Sequence, residues 1–268
     1  MSRLTSAQVG GLRIAYERVG EGRPKVLLLH GGLADHRAWT PQHELADGLT
    51  LVAWDAPGCG ASSDPPDSFR MDDYAAALAG FVETLGLGPV HVVGHSFGAT
   101  LALAFAHHSP TLARSLVLAS SYAGWAGSLP PEIVTDRLEG GLRALEQGPV
   151  ALAEGFVETL FSADVDPAVL TEARQLLADV RPSGARTMLR AMALCDLREE
   201  LGAIRAPTLV LHGSEDVRAP YDVACAIHEA LPVSTLAVLD GVGHECNLEA
   251  PAAFNAAVRS FLSRVDER

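Results

Sequence analysis

Apolar positions along this chain fall into two rhythms, and the way they alternate predicts its architecture. Short continuous runs such as Lys25-Val26-Leu27-Leu28-Leu29-His30 and Leu49-Thr50-Leu51-Val52-Ala53-Trp54 lack the polar alternation of a half-wetted sheet. They predict strands buried on both faces. Residues 90–93, 115–119, 207–212 and 235–239 read as further strands. Between the strands the apolar residues recur at three and four. Met71, Tyr74, Leu78, Phe81, Val82 and Leu85 form one stripe of a helix over 71–86. Asp72 and Asp73 occupy its first turn, where the helix dipole favours acids. Helices also follow over 34–48, 97–108 and 220–231, and a last one carries Phe254, Val258, Phe261 and Leu262 on one face. Ahead of these, residues 5–18 alternate about Gly10-Gly11, with Leu12, Ile14 and Tyr16 on one face, as in a β-hairpin.

The rhythm breaks between about 122 and 195, where no strand pattern occurs. Pro131, Pro149, Pro167 and Pro182 each stand at the head of a helical pattern, the first-turn position that tolerates proline, so four short helices are expected. Strand–helix alternation on both sides of this insert predicts a mostly parallel sheet flanked by helices. The insert leaves from the carboxyl end of a strand, the edge at which open α/β sheets bind ligands. The expected organisation is therefore a core of 1–121 and 196–268 with a helical lid, or cap, over 122–195.

Composition narrows the function classes. The chain has 268 residues, which fits one large domain or one domain with an insertion. Its formal net charge of −13 repels phosphate, which argues against nucleic acid and against anionic membrane surfaces and keeps the chain soluble. No apolar run reaches the roughly 18 residues of a membrane span, and the first residues show no apolar signal segment. Cys59, Cys195, Cys225 and Cys246 form neither a C-x-x-C pair nor a zinc spacing and read as free thiols of a reducing cytoplasm. A cytoplasmic monomer or homodimer acting on a small molecule is the expectation.

The candidate chemistry centres on Gly94-His95-Ser96-Phe97-Gly98, where a strand pattern turns directly into a helical one. That is the context a nucleophile elbow requires, with Ser96 on a strained turn and Gly94 and Gly98 letting strand and helix approach. A serine hydroxyl attacks poorly until a base takes its proton. His244 follows Asp240-Gly241-Val242-Gly243, just past the last strand, and is the best-placed histidine. An acid must fix the imidazole tautomer. Asp216, past the preceding strand, has the Gly213-x-x-Asp216 spacing that favours it over its neighbour Glu215. Phe97 supplies one oxyanion-hole amide, and Gly32 the other, with Leu33 as the alternative.

Other polar residues have simpler readings. His30 and His95 are expected to hold nearby loops. His107 and His108 end a helix, and His36, His43, His91, His212 and His228 show no partner. Asp55 is expected to brace its own turn, and Cys59 and Cys246 to be packing residues. Trp125, Phe156, Phe161, Met188 and Met192 are expected mostly to pack insert against core, with one or two lining an acyl pocket beside Leu33. Arg137, Arg143, Arg181, Arg186 and Arg190 read as an exposed helical surface, one of them available to a substrate carboxylate.

Taken together the motifs resemble the α/β-hydrolase superfamily. His30-Gly31-Gly32 resembles its oxyanion loop and Asp55-x-x-Gly58-x-Gly60-x-Ser62 its second turn, followed by the elbow, Gly213-x-x-Asp216 and Gly243-His244. The resemblance implies an eight-stranded sheet with an antiparallel second strand and a four-helix lid after the sixth. Such a lid is similar to those of 3-oxoadipate enol-lactonases, meta-cleavage C–C hydrolases and cofactor-free haloperoxidases. Residues 196–268 look most like the enol-lactonase and small-esterase branch. The implied activity is hydrolysis of a small carboxylic ester or lactone through an acyl-enzyme on Ser96, with no metal or cofactor required. The same triad would serve a C–C hydrolase, whose longer glycine-rich oxyanion loop Leu33-Ala34 departs from, or a perhydrolase. Epoxide hydrolases and haloalkane dehalogenases use an aspartate where Ser96 stands. A slow-turnover ligand sensor, signalling through the lid, is the alternative from another class.

Overall fold

The computed structural model describes residues 3–157 and 159–267. Its strands are β1 (Arg3–Val9), β2 (Leu12–Val19), β3 (Lys25–Leu29), β4 (Thr50–Trp54), β5 (Val90–His95), β6 (Ala113–Ala119), β7 (Thr208–Gly213) and β8 (Ser234–Leu239). They form one eight-stranded sheet in the order β1-β2-β4-β3-β5-β6-β7-β8. β2 runs antiparallel to both β1 and β4, and every other pairing is parallel. The hairpin from β1 to β2 turns on Gly10 and Gly11, whose φ values of 53° and 86° lie where L side chains rarely go.

The continuous apolar runs sit where they were expected. β4, β5 and β7 are buried at every position, so both faces of the central sheet are covered. One face carries α1 (Met71–Thr84) and α2 (Phe97–His108). Positions 97–106 of α2 are all buried, which explains why its sequence is apolar around the whole helix. The opposite face packs Trp39 against Phe254, with ring centroids 6.1 Å apart.

One helix differs in kind. The segment 34–48 forms a 3-10 helix, His36–Ala46, in place of an α-helix. Pro41 lies inside it and has no N–H for an i to i−4 ladder. After α7 (Tyr221–Ala230) come a short α8 (Cys246–Glu249) and then the expected last helix, α9 (Pro251–Asp266), which Pro251 opens and which buries Phe254, Val258, Phe261 and Leu262 on one face.

Between β6 and β7 the chain makes α3 (Pro131–Gln147), α4 (Pro149–Val157), α5 (Pro167–Ala178) and α6 (Pro182–Leu194), each opened by its proline. The stretch enters and leaves the core side by side, with Trp125 N–H donating to the Met192 carbonyl and Leu197 N–H to that of Ala123, both 2.9 Å. α6 meets the core at Gly58, where a side chain on Gly184 would collide with the Gly58 carbonyl. Among the described residues no helix is long and apolar enough to cross a membrane.

Candidate active site

Ser96 caps α2 with φ 51° and ψ −109°, a conformation that costs a non-glycine residue about 1–3 kcal/mol. The surrounding bonds hold it there. Its N–H donates to the Ala119 carbonyl at 2.9 Å, and its own carbonyl accepts from Ala99 and Thr100 at 3.0 Å each. The turn is possible because β5 and α2 nearly touch. A Cβ on Gly94 would overlap the Gly98 carbonyl, and one on Gly98 the carbonyls of Leu29 and His30. Ser96 is left half-buried among buried neighbours, with its hydroxyl at the carboxyl edge of the sheet.

At that edge the loop after β8 brings His244 Nε2 to 3.0 Å from Ser96 Oγ. The loop after β7 brings Asp216, whose oxygens lie 2.8 and 3.0 Å from His244 Nδ1. The carboxylate accepts the Nδ1 proton, so Nε2 is left as the acceptor for the serine hydroxyl. Asp216 also accepts from the Arg218 and Ala219 amides at 2.9 and 2.8 Å. Burial alone would raise its pKa, but His244 and the Ala219 amide outweigh it and hold the carboxyl at about 2. Asp216 is therefore charged throughout the neutral range.

Three further histidines can be given a role from their partners. The His244 carbonyl accepts from Ser120 Oγ at 2.7 Å and from His95 Nε2 at 2.9 Å, so Nε2 carries the His95 proton. Burial pushes the His95 pKa below its ordinary value. His30 Nε2 accepts from the Ala56 amide at 3.0 Å, so its Nδ1 donates to the Gly31 carbonyl at 2.8 Å. That neutral ring ties the Gly31-Gly32 loop to the turn after β4, and burial lowers its pKa too. His36 Nδ1 lies 2.7 Å from Asp55.

Gly32 and Phe97 face each other beside Ser96, and a Cβ on Gly32 would stand 3.9 Å from the Phe97 Cβ. Phe97 opens α2, so its N–H has no partner within the helix. Leu33 follows with φ 64° and is buried beside the cleft. The cleft holds about 540 Å³ of empty space, including its mouth. Trp125, Phe156, Met188 and Met192 line it from the insert, more than the one or two expected, and Leu160 joins them.

Several expectations are corrected. Phe161 does not line the cleft. The chain has left α4 at Val157, so helical spacing no longer sets direction, and the Phe161 backbone packs on Gly243 while Leu160 faces inward. Histidines that showed no partner in sequence have one in the fold: His36 with Asp55, His43 with Glu17 at 3.1 Å, His91 with Ser115 and, six residues on, His228 with Ser234, the last two at 2.7 Å. The arginine at the cleft is none of the five in the insert. It is Arg218, two residues past Asp216, held by Thr159 Oγ1 at 2.9 Å with its guanidinium 4.9 Å from the Phe156 ring. Its place in the Asp216 loop brings it to the same sheet edge, but nothing in the sequence singles it out.

Asp35, His36 and Asp55 also cluster within 4.8 Å. Arg37 engages Asp35 through Nε and Nη2, and Asp55 accepts from the His36 and Ala61 amides, so the cluster braces its own turns. Cys246 is buried and its thiol is pushed up to about 12, as expected of a packing residue.

A sequence model of the alpha/beta hydrolase family matches residues 26–257. The chain belongs to this family. The α/β-hydrolase is 30% identical over 269 residues to 2-hydroxy-6-oxononadienedioate/2-hydroxy-6-oxononatrienedioate hydrolase 2 of Pseudomonas putida, covering 94% of this chain and 92% of that protein. A thermophilic esterase from Thermogutta terrifontis superposes with a TM-score of 0.90 at 28% identity, covering 98% and 99% of the two chains. The enol-lactonase from Burkholderia xenovorans LB400 gives 0.89 at 25% identity, covering 97% and 100%. At this level the protein is a hydrolase.

Proposed function

We propose that this α/β-hydrolase cleaves a small carboxylic ester or lactone through an acyl-enzyme on Ser96. The observation that carries the reading is the unbroken line from Asp216 through His244 to Ser96, with bonds of 2.8 and 3.0 Å, opening into an apolar cleft. His244 takes the hydroxyl proton as Ser96 attacks the carbonyl. The amides of Phe97 and Gly32 hold the oxyanion, and each such donor contributes roughly 10²–10³-fold to turnover. His244 then gives its proton to the departing alkoxide, and water repeats the sequence to free the acid. The likeness to an esterase and an enol-lactonase over nearly the whole chain supports the same reading.

The test is hydrolysis of p-nitrophenyl esters from acetate to decanoate, wild type beside S96A. Sustained turnover that is lost in S96A and favours short acyl chains is the expected result. Ester turnover that survives in S96A overturns the mechanism. A second reading, C–C hydrolysis with the same residues, is favoured by the name of the Pseudomonas putida relative. Arg218 at the cleft offers that substrate class a cation. Under that reading a dienoate dione is consumed in preference to esters, and R218A slows it selectively.

A further inference from the structure

We propose that Glu249, at the end of α8, is a positioning residue that clasps the inserted helices to the loop carrying His244. This rests on the reading of Ser96 and His244 given above. The Glu249 carboxylate accepts from the Gly243 amide at 2.9 Å, the residue immediately before His244. It also accepts from both the amide and the hydroxyl of Ser162, which belongs to the insert just past Leu160 and Phe161. On the other side of the histidine, the Glu245 amide donates to the Leu160 carbonyl at 2.9 Å. The His244 carbonyl between them takes Ser120 and His95.

The His244 backbone is thus held to the short segment 160–162 directly on one flank and through Glu249 on the other, where the carboxylate takes three donors. No spare room remains between the two segments, because a Cβ on Gly243 would lie 2.7 Å from the Phe161 carbonyl carbon and the Ser162 amide nitrogen. The Leu160 side chain lines the cleft, so the piece of the insert that touches bound substrate is also the piece that fixes the base. The carboxylate suits this place. Three donors converge on it, and an amide would present its own N–H groups to at least one of them.

The clasp acts through His244, so it must appear in the rate of chemistry as well as in stability. The experiment uses E249Q, S162A and the double variant of the full chain. It measures labelling of Ser96 by a fluorophosphonate probe, kcat and KM for p-nitrophenyl butyrate, and thermal midpoints. E249Q is expected to slow labelling and kcat by about 10-fold or more, the scale at which a displaced catalytic group is felt, with a smaller change in KM. S162A is expected to slow labelling about 3-fold, and the double variant to match E249Q, because both residues act in one network. Wild-type labelling and kcat in E249Q, whatever its thermal midpoint, overturn the proposal, as does a double variant that loses the product of the single effects. Should E249Q fail to fold, wild-type labelling in S162A overturns it alone. A wild-type protein whose Ser96 does not label overturns the hydrolytic reading beneath, and the proposal with it.

Discussion

Ser96 combines a strained backbone with an aligned side chain, and the two can be separated. Replacing it with alanine removes the hydroxyl proposed as nucleophile but not the turn, whose bonds run through the main chain. Turnover is expected to fall by roughly 10⁴–10⁶-fold with an unchanged melting curve. Asp216→Asn keeps the shape but loses the acceptor that fixes the His244 tautomer, and kcat is expected to fall about 10⁴-fold, read by ester kinetics at neutral pH. The residues of this line could be picked from sequence because each stands in a loop at the end of its own strand run. Arg218 could not, since nothing in Asp216-Val217-Arg218 says that the insert folds back over it. Nor could the partners of His43 and His91, which stand on other strands at large sequence separation.

At the scale of elements, hydrophobic rhythm determined which segments became strands, but backbone contact determined how elements meet. The strand runs and the four proline-headed helices were legible because burial on both faces and the first-turn proline each leave a one-dimensional mark. The 3-10 geometry of His36–Ala46 was not, because its apolar spacing fits either helix type until Pro41 is weighed. The elbow glycines make a sharp prediction. G98A forces a methyl into the Leu29 carbonyl and is expected to destabilise the protein by about 2–3 kcal/mol, measured by urea unfolding. G184A presses on the Gly58 carbonyl where α6 meets the core. It is expected to raise KM for esters about 3-fold or more while kcat changes less, as for lost ground-state binding.

For the whole molecule, buried histidines set the response to acid. Burial lowers the pKa of His30, His91, His95 and His212 below the unfolded value of 6.5. Each therefore contributes stability that is complete above pH 6.5 and is lost as pH falls below it toward the folded pKa. His36 runs the other way. Burial opposes its charge, but Asp55 raises its pKa, so its contribution is present below pH 6.5 and fades as pH rises through the folded value. Four against one, the thermal midpoint is expected to fall between about pH 7 and pH 5, followed by calorimetry. A midpoint that rises over that range contradicts the neutral, buried assignment of the four rings. Asp216 enters only in strong acid, its contribution disappearing as pH falls from about 4 to about 2.

The paired bonds of Trp125 with Met192 and of Leu197 with Ala123 have a consequence in chain statistics. They bring the two ends of the inserted helices together, so to the folding core the whole excursion is one closed loop. Loop-closure entropy grows only logarithmically, about 0.6 kcal/mol for each doubling of length. A helical segment of quite different size, grafted between the same two stems, would therefore tax the core very little. Between its two stems the excursion is thus free to vary in length, provided that the segment 160–162 still meets the loop of His244.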